Sequence, residues 1–466
     1  MNRQSIYGFL TLVFVMSFPA RAAEGQDGST VPCRIVVVDR ENGWPVPQVE
    51  LTTTHQVRFV TDNAGVAAFD LPELMGRETW VSVMAHGYEC KADGFGNRGV
   101  RLTPQPGKTV TIEVDRTIIA KRLGRLTGGG LLAEAQRCGD HSDWRESGIL
   151  GCDSVQLAVH RGRLFWAWGD TTVARYPLGI FHMTGATTAL RPLEKFEPPL
   201  KLEYDYLMNE AGQPRAVADL GGPGPTWLSG FISLPDASGT PHLVAHYAKI
   251  KPPLSVYRTG LCVWNEKSRQ FESSVVLWEK KEGGSSPSGE PTGHPVVWTD
   301  EGGKRWVLFG DPFPSLKMPY SFEAWRDREQ WVRVEAPAEI RSADGEAVRV
   351  HRGSIAWNAY RHRWICLFGQ LGGEASHLGE IWYGEAKSPF GPWGPVVKVL
   401  SHDRYTFYNP RLHPEMTPDA SPVLLFEGTY TRQFSATKDP TPRHDYNQVL
   451  YRIDLDDPQL APARVD

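Results

Sequence analysis

Residues 152–171 read CDSVQLAVHRGRLFWAWGDT, and this stretch decides the fold prediction. Two β-rich segments flank the pair Arg161-Gly162, and a two-residue connection of this kind is typical of a tight hairpin. A turn centred between these two residues places Asp153 opposite Asp170. The stretch therefore predicts two antiparallel strands with two carboxylates opposed at their open end.

The pattern of the second strand recurs along the chain. Each copy is an aromatic and aliphatic strand that ends in a small or acidic residue and follows another strand across a short turn. Markers of the five copies, 78, 63, 58 and 59 positions apart, are Phe165, Leu243, Trp306, Trp364 and Val423. Antiparallel repeats of this size predict a propeller. We therefore predict an all-β chain in which residues 151–456 form a five-bladed β-propeller, the alternative being a large irregular sandwich.

The region before the repeats has a different pattern. Residues 31–117 contain short β segments separated by turn residues such as Asn42-Gly43, which predicts a small β-sandwich. Residues 118–150 are polar and contain several glycines, so we expect a linker with a short helix. Because every candidate acid lies beyond residue 150, we also expect that residues 31–117 can be removed without abolishing activity.

The first residues predict export. One Arg precedes an apolar run from Ile6 to Phe18, and Ala20-Arg21-Ala22 is a small-x-small cleavage pattern. The run is too short to span a bilayer, which needs about 20 apolar residues. We predict a signal peptide at residues 1–22 and a secreted or periplasmic protein without a membrane anchor after cleavage.

Export makes the cysteines candidates for disulfides. Membership of the same segment suggests the pairs Cys33 with Cys90 and Cys138 with Cys152. The other two cysteines are Cys262 and Cys366. None of the six forms a CxxC motif, which disfavours zinc and thioredoxin-like sites.

Composition limits the partners. The 466 residues carry 50 Lys+Arg and 54 Asp+Glu, so a general affinity for nucleic acid is not expected. Aromatic residues make up 11% of the chain, which suits the stacking of sugar rings, and Trp227, Trp357 and Tyr408 are predicted near the mouth of the channel. We expect a carbohydrate partner, a monomer and no cofactor, while calcium in the channel is left open.

Hairpin register predicts which polar residues share the mouth. In the third repeat a turn centred on Gly302-Gly303 would place His294 opposite Asp311, where the carboxylate would favour an imidazolium. In the fourth repeat the same reasoning places His351 opposite Gln370. In the fifth, His413 is expected near Glu427.

The candidate site combines these positions. The predicted catalytic residues are Asp153, Asp170 and His294. The predicted substrate-binding residues are Trp227, Asp311, His351, Arg352, Gln370, Asn409, Arg411, His413 and Glu427. No metal ligands are predicted. Convergent polar groups above an apolar barrel are typical of a binding site, although each residue alone is also explained as a strand-end side chain that satisfies a turn.

Two resemblances sharpen these expectations. VVDRENGWPVPQVELTTT (37–54) with FVTDNAGVAAFDLP (59–72) resembles transthyretin-like or carboxypeptidase-regulatory-like domains, which implies a non-catalytic module. The stretch 152–171, with YPLGIFH (176–182), GEIWYGEAKSPFGPW (379–393) and FYNPRLHPEM (407–416), resembles the five-bladed glycoside hydrolases that include arabinanases, fructosidases and anhydrogalactosidases. The group around the bacterial endo-D-arabinanases is the nearest.

The second resemblance implies roles for particular residues. It implies that Asp153 and Asp170 are the acidic pair. Arabinanase-type proteins place a Glu general acid at the opening of the third blade, where this chain has Gly293-His294-Pro295. The acid would then be Glu290, His294 or Asp170.

Three functions remain open at this point. A secreted glycoside hydrolase needs two acidic groups flanking the scissile bond. A non-catalytic carbohydrate-binding propeller would need only the aromatic side chains. A polysaccharide lyase would use a His or Tyr base and an Arg that neutralises a uronate, for which His294, His351, Arg352 and Arg411 are candidates.

Overall fold

The computed structural model describes residues 31–180, 182–190, 198–281, 288–337 and 339–465. The predicted signal peptide lies outside the described residues. Within the described part, nearly all regular structure is β-strand, and the two α-helices have five residues each. The predicted all-β class is confirmed.

Two four-stranded sheets form the N-terminal region. Their strands are β1 (Cys33–Asp39), β2 (Glu50–Thr53), β3 (Arg58–Val60), β4 (Val66–Phe69), β5 (Thr79–Met84), β6 (Tyr88–Glu89), β7 (Gly99–Leu102) and β8 (Thr109–Arg116). The strand orders are β4-β1-β8-β6 and β3-β2-β5-β7. Burial alternates along β1, as its β-branched sequence requires of a half-buried strand. Side chains of both sheets, including Ile35, Leu51, Val81 and Ile112, form one hydrophobic core.

The connector at residues 118–150 contains more structure than we predicted. It includes the expected short helix, α1 (Ala133–Arg137), but also a strand, β9 (Lys121–Arg125). The β9 strand pairs with a strand formed by residues 447–454 near the end of the chain. The connector is therefore partly a component of the last sheet rather than a simple linker.

Most of the remaining strands, together with β9, form five more four-stranded antiparallel sheets, which we call sheets one to five. The chain continues with β10 (Ile149–Cys152), β11 (Gln156–His160), β12 (Arg163–Trp168), β13 (Thr171–Val173), β14 (Tyr176–Ile180), β15 (Thr184–Ala189) and β16 (Asp205–Tyr206). Sheet one is β11-β12-β15-β16, while β10, β13 and β14 form a separate three-stranded sheet. Sheet two contains β17 (Thr226–Pro235), β18 (Pro241–Lys251), β19 (Ser255–Asn265) and β20 (Gln270–Glu279).

The last three sheets follow the same order. Sheet three contains β21 (Val296–Thr299), β22 (Arg305–Gly310), β23 (Pro314–Pro319) and β24 (Val332–Arg333), with α2 (Phe322–Arg326) before its last strand. Sheet four contains β25 (Val350–Asn358), β26 (Arg363–Gln370), β27 (Glu380–Ala386) and β28 (Val397–Ser401). Sheet five contains β29 (Thr406–Leu412), β30 (Val423–Thr431), β31 (Asn447–Asp454) and β9. Short 3-10 helices span Arg328–Gln330, Pro414–Met416 and Pro458–Ala463.

Each of the five sequence markers lies on the second strand of its sheet. The first strands of the five sheets line a common cavity of about 330 Å³. Representative lining residues, one from each first strand in order, are Leu157, Phe231, Val296, Ala356 and Arg411. The five first strands thus contribute to one cavity, and sheet five is completed by β9, which precedes the repeat region in sequence.

Hairpin register was predicted correctly in sheet one and wrongly in sheet three. In sheet one, Gln156 pairs with Ala167, and both turn residues have positive φ, as a tight hairpin of the primed type requires. In sheet three, Val296 pairs with Leu308, one position away from the predicted register. The cause is Asp300, whose side chain accepts a hydrogen bond from the Lys304 amide at 2.9 Å and thereby includes one more residue in the turn.

Sheet four shows a different departure. Its register follows the prediction from Asn358 to Gly353, but a bulge between Gly353 and Val350 places Val350, not His351, opposite Gln370. A bulge of this kind is invisible to counting from the turn, because it inserts one unpaired residue into one strand only.

The cysteine prediction is wrong. All six cysteines are unpaired, and five of them are buried. Cys33 and Cys90 belong to the N-terminal core, where they pack as small apolar side chains. None of the helices in the described ranges is long and apolar enough to cross a membrane.

Candidate functional site

Most of the predicted site residues lie where the first strands begin. Asp153 and His294 precede β11 and β21, Trp227 and His351 lie at the starts of β17 and β25, and Asn409 lies in the first half of β29. Trp357 is an exception, because it lies at the hairpin end of β25 with 47% of its surface exposed. The prediction that it lies near the same mouth is wrong.

The acidic pair is held by the backbone. The Asp153 amide donates to the Asp170 carbonyl at 3.3 Å, and the Gly169 amide donates to the Asp153 carbonyl at 2.7 Å. Gly169 and Asp170 together therefore oppose Asp153, as the hairpin register predicted. A Cβ atom on Gly169 would lie 2.0 Å from Asp153 Oδ1, so only glycine leaves room for this carboxylate.

Hydroxyl groups surround the carboxylate of Asp153. The Tyr408 hydroxyl donates to Asp153 Oδ2 at 2.6 Å. Burial raises the pKa of Asp153, while hydrogen bonds from Tyr408, Tyr446 and Ser154 oppose that rise. Ser154 also accepts from Asn409 Nδ2 at 2.6 Å. Asn409 is thus linked to the Asp153 carboxylate through the Ser154 hydroxyl.

Asp170 is in a less polar environment. Burial, and then the negative charge of Asp153, raise the pKa of Asp170 to about 7, against a hydrogen bond from Trp227 that lowers it. Its Oδ1 atom is buried and has no hydrogen-bond partner. As the pH falls below about 7, Asp170 carries its proton, next to a second carboxyl group that accepts several hydrogen bonds.

His294 is surrounded by cations rather than by a carboxylate. Its amide donates to the Gly310 carbonyl at 2.9 Å, which confirms that it lies opposite Gly310 and not Asp311. Burial, then Arg411 and Arg352, lower the pKa of His294 to about 3. The expectation of an imidazolium at this position is wrong, because the shifted register removes the carboxylate and two guanidinium groups oppose protonation.

Asp311 is engaged with the next sheet. Its Oδ1 accepts from the Gly353 amide at 2.9 Å, and its Oδ2 lies 3.7 Å from Arg352 Nε. Burial raises the pKa of Asp311 to about 6, and Arg352 opposes the rise. Gln370 is also occupied, since its Oε1 accepts from Trp382 Nε1 at 2.8 Å. Both residues support the site rather than project freely into it.

The predicted residues of sheet five are buried. His413 Nε2 lies 3.6 Å from Glu427 Oε1, as expected, and both side chains have no exposed surface. Arg411 pairs with Glu415 at 2.7 Å and lies 2.8 Å from His413 Nδ1. Burial raises the pKa of Glu427 to about 8. Arg411, His413 and Glu427 form a buried polar cluster, and the charge of Arg411 lowers the pKa of His294.

Two residues of the site were not predicted from the sequence, and the role of a third was left undecided. Tyr446 and Ser154 have positive φ and direct their hydroxyls to Asp153, but no sequence motif identified them as site residues. Glu290, the alternative acid, is buried and accepts from His246 Nε2 at 2.7 Å and from Thr259 at 2.9 Å. Among the described residues, no group of three or more His, Cys, Asp or Glu side chains is arranged to hold a metal ion.

Comparisons with known proteins give only distant similarity. No family model matches the chain, and no curated protein matches it. The structure is similar to an exo-1,5-α-L-arabinanase from a bovine ruminal metagenomic library, with a TM-score of 0.36 and 10% identity over 66% of this chain and 94% of that one. An arabinanase of Bacillus subtilis gives a TM-score of 0.34 and 9% identity over 65% and 96%. A GH43_1 enzyme of Xanthomonas citri gives 0.36 and 10% over 65% and 86%. Similarity at this level carries no argument about the chemistry of this chain.

Proposed function

We propose that this protein is a secreted glycoside hydrolase that acts on a polysaccharide or oligosaccharide at the mouth formed by the first strands. The observation that carries the proposal is the acidic pair. Asp170 has a pKa of about 7 beside Asp153, which accepts hydrogen bonds from three hydroxyl groups. Hydrolysis of a glycosidic bond requires one carboxyl that donates a proton and one carboxylate that acts as base or nucleophile.

Within this proposal the two residues divide the work. Asp170 carries the proton, because burial and its negative neighbour favour its neutral form. Asp153 is the base or nucleophile, because its hydrogen-bond donors favour the charged form. Trp227 holds Asp170, and neutral His294 contributes to binding rather than to proton donation.

We also infer the architecture that presents this pair. Sheets one to five are the blades of a five-bladed β-propeller, and residues 31–117 are a transthyretin-like β-sandwich that acts as a non-catalytic module. The cavity shared by the five first strands and the completion of sheet five by β9 support the first inference. The core shared by the two N-terminal sheets supports the second. Export rests on the sequence of residues 1–22 alone.

The test is incubation of the full chain with a panel of polysaccharides, followed by analysis of the products. New reducing ends that disappear in Asp153→Asn and Asp170→Asn would support hydrolysis. Asp344→Asn, an exposed turn residue, is the control. The anomeric form of the first product, followed by NMR, then assigns Asp153 as nucleophile if configuration is retained and as base if it is inverted.

One observation favours a second candidate, a polysaccharide lyase. The pKa of His294 is lowered to about 3, so its imidazole is unprotonated, as a base must be before the reaction, and Arg352 is close enough to contribute to that shift. Unsaturated products that absorb in the ultraviolet, lost in His294→Ala but not in Asp170→Asn, would establish the lyase. Binding without any product would leave a carbohydrate-binding propeller.

A further inference from the structure

Three basic side chains of sheets three and four lie at the mouth. His294 precedes β21, and His351 and Arg352 form the bulge near the start of β25. The Arg352 side chain is 59% exposed. The Nδ1 atom of His351 is buried and has no hydrogen-bond partner. These residues, which we call the basic side of the mouth, make no side-chain hydrogen bond within the described residues.

Burial and neighbouring cations, and not a carboxylate, determine the pKa shifts of the two histidines. The pKa of His351 is lowered by burial, then by Arg352 and His377, and the pKa of His294 is lowered by burial and by two arginines. No carboxylate raises either pKa within the described residues. The acid at this side is Asp311, whose Oδ2 lies 3.7 Å from Arg352 Nε. Glu415 pairs with Arg411 at 2.7 Å, and Glu380 pairs with Lys398 at 2.8 Å.

Asp311 attracts Arg352 but does not form a hydrogen bond with it. One oxygen of Asp311 is held by the Gly353 amide, and the other lies 3.7 Å from Arg352 Nε, beyond hydrogen-bond distance. In the part of the chain that the structure describes, neither Nη atom of Arg352 makes a hydrogen bond. A guanidinium that is oriented on one edge and free on the other is suited to bidentate binding of a planar or tetrahedral oxyanion.

We propose that His294, His351 and Arg352 form a subsite for an oxyanion on the sugar substrate, either the carboxylate of a uronic acid or a sulfate ester; this rests on the carbohydrate-active function proposed above. The free edge of Arg352 binds two oxygens of the anion, and the imidazole N–H groups of the two histidines donate to it. The guanidinium of Arg352 supplies the positive charge that the anion needs, and the anion supplies a hydrogen-bond partner for the buried Nδ1 of His351. The acidic pair flanks β11 and β12 of sheet one, whereas the subsite belongs to sheets three and four, so different sheets hold the anionic substituent and the two carboxylates.

The test measures binding separately from turnover. Calorimetry uses the full chain with Asp170→Asn, so that a ligand is not consumed. The ligands are a uronic acid oligosaccharide, a sulfated neutral oligosaccharide and the unmodified neutral oligosaccharide, all of one length. We expect one anionic ligand to bind about 10- to 100-fold more tightly than the neutral ligand, and which one it is identifies the source of the oxyanion.

Variants connect the preference to the subsite. Arg352→Gln should reduce binding of the preferred anion to the level of the neutral ligand, and Arg352→Lys should recover only part, because Lys has no planar fork. Arg101→Gln, an exposed arginine of the N-terminal region, is the matched control. Equal binding of all three ligands, no binding of either anion, or an anion preference that survives Arg352→Gln in a folded variant would overturn the subsite.

The outcomes separate this proposal from the proposed hydrolase. Selective, Arg352-dependent anion binding by a wild-type chain that hydrolyses nothing would support the subsite and reject the hydrolase. Hydrolysis of a neutral glycan without any anion preference would do the reverse.

Discussion

The mouth has two sides that are built in opposite ways. On the acidic side, which consists of Asp153, Asp170, Trp227, Tyr408 and Tyr446, the Asp153 carboxylate is surrounded by hydrogen-bond donors and Trp227 donates to Asp170. On the basic side, Arg352 is exposed and the two histidine rings make no hydrogen bond or ion pair within the described residues.

The two sides differ in whether their polar groups already have hydrogen-bond partners. Catalysis gains from donors that are already in place, because no reorganisation is then needed during the reaction. Recognition of a charged substituent instead needs donors that only the ligand satisfies. The acidic side fits the first requirement, and the basic side fits the second.

The largest effect should come from the acidic side. Asp153→Asn removes the charge that acts as base or nucleophile, and we expect a loss of turnover of about 10²- to 10⁴-fold with binding retained. Steady-state kinetics and calorimetry on the same preparation measure the two effects. Asp344→Asn should behave as wild type. Wild-type turnover in Asp153→Asn would reject the proposed role of the pair.

A smaller effect should follow from displacing this carboxylate without removing it. In Gly169→Ala the new Cβ would lie 2.0 Å from Asp153 Oδ1, so the carboxylate must move. A displacement of about 1 Å at a reacting group can cost about 10²-fold in rate. The control is Gly94→Ala, where an added Cβ meets nothing within 4 Å. If Gly169→Ala kept full activity, the acidic side would not be preorganised in the way we describe.

The next effect is a shift in pH dependence rather than a loss. Asp170 must be protonated to donate, and its pKa is about 7, so kcat/KM should fall as the pH rises through about 7. Trp227→Phe removes a hydrogen bond that lowers this pKa, so the alkaline limb should move to higher pH. Trp357→Phe, at the other end of the first strands, should leave the profile unchanged. An unshifted limb in Trp227→Phe would assign it to another group.

Stability should show the same titration. The folded-state pKa of Asp170 lies above its ordinary value of 3.8, so the neutral form is favoured on folding. Its contribution to the free energy of unfolding is present below about pH 4 and is lost as the pH rises through about 7. Asp170→Asn should remove this part of the pH dependence in denaturant titrations at pH 4 to 8.

The sequence predicted the acidic side better than the basic side for a physical reason. Arg161-Gly162 is a turn that fixes register by backbone conformation alone, so counting outward from it placed Asp153 against Asp170. In sheet three the register depends on a side chain, that of Asp300, and counting from the glycines gave an error of one residue. That error produced the wrong protonation state for His294.

Contacts between distant parts of the chain could not be predicted from the sequence pattern. Tyr446 reaches Asp153 from the loop before β31, nearly 300 positions along the chain, and β9 joins a sheet formed by the end of the chain. Local pattern contains no information about such pairings. The burial of Arg411, His413 and Glu427 likewise depends on contacts with distant segments, such as that of Arg411 Nη2 with the Leu157 carbonyl at 3.2 Å.

The smallest effect on turnover should come from a residue remote from both sides. Its substitution should lower the free energy of unfolding without changing catalysis. Asn63 lies between β3 and β4. Its buried side chain accepts from the Arg125 amide at 2.9 Å and donates to the Arg125 carbonyl at 2.9 Å, which joins the N-terminal region to β9. Asn63→Ala leaves buried backbone groups unpaired, which should cost about 1–3 kcal/mol in the free energy of unfolding. Asn97→Ala, in an exposed turn of the same region, should cost far less. We expect a lower Tm for Asn63→Ala with kcat and anion preference unchanged at a temperature where it is folded. A loss of turnover in this folded variant would mean that residues 31–117 take part in the chemistry, against the prediction that they are dispensable for it.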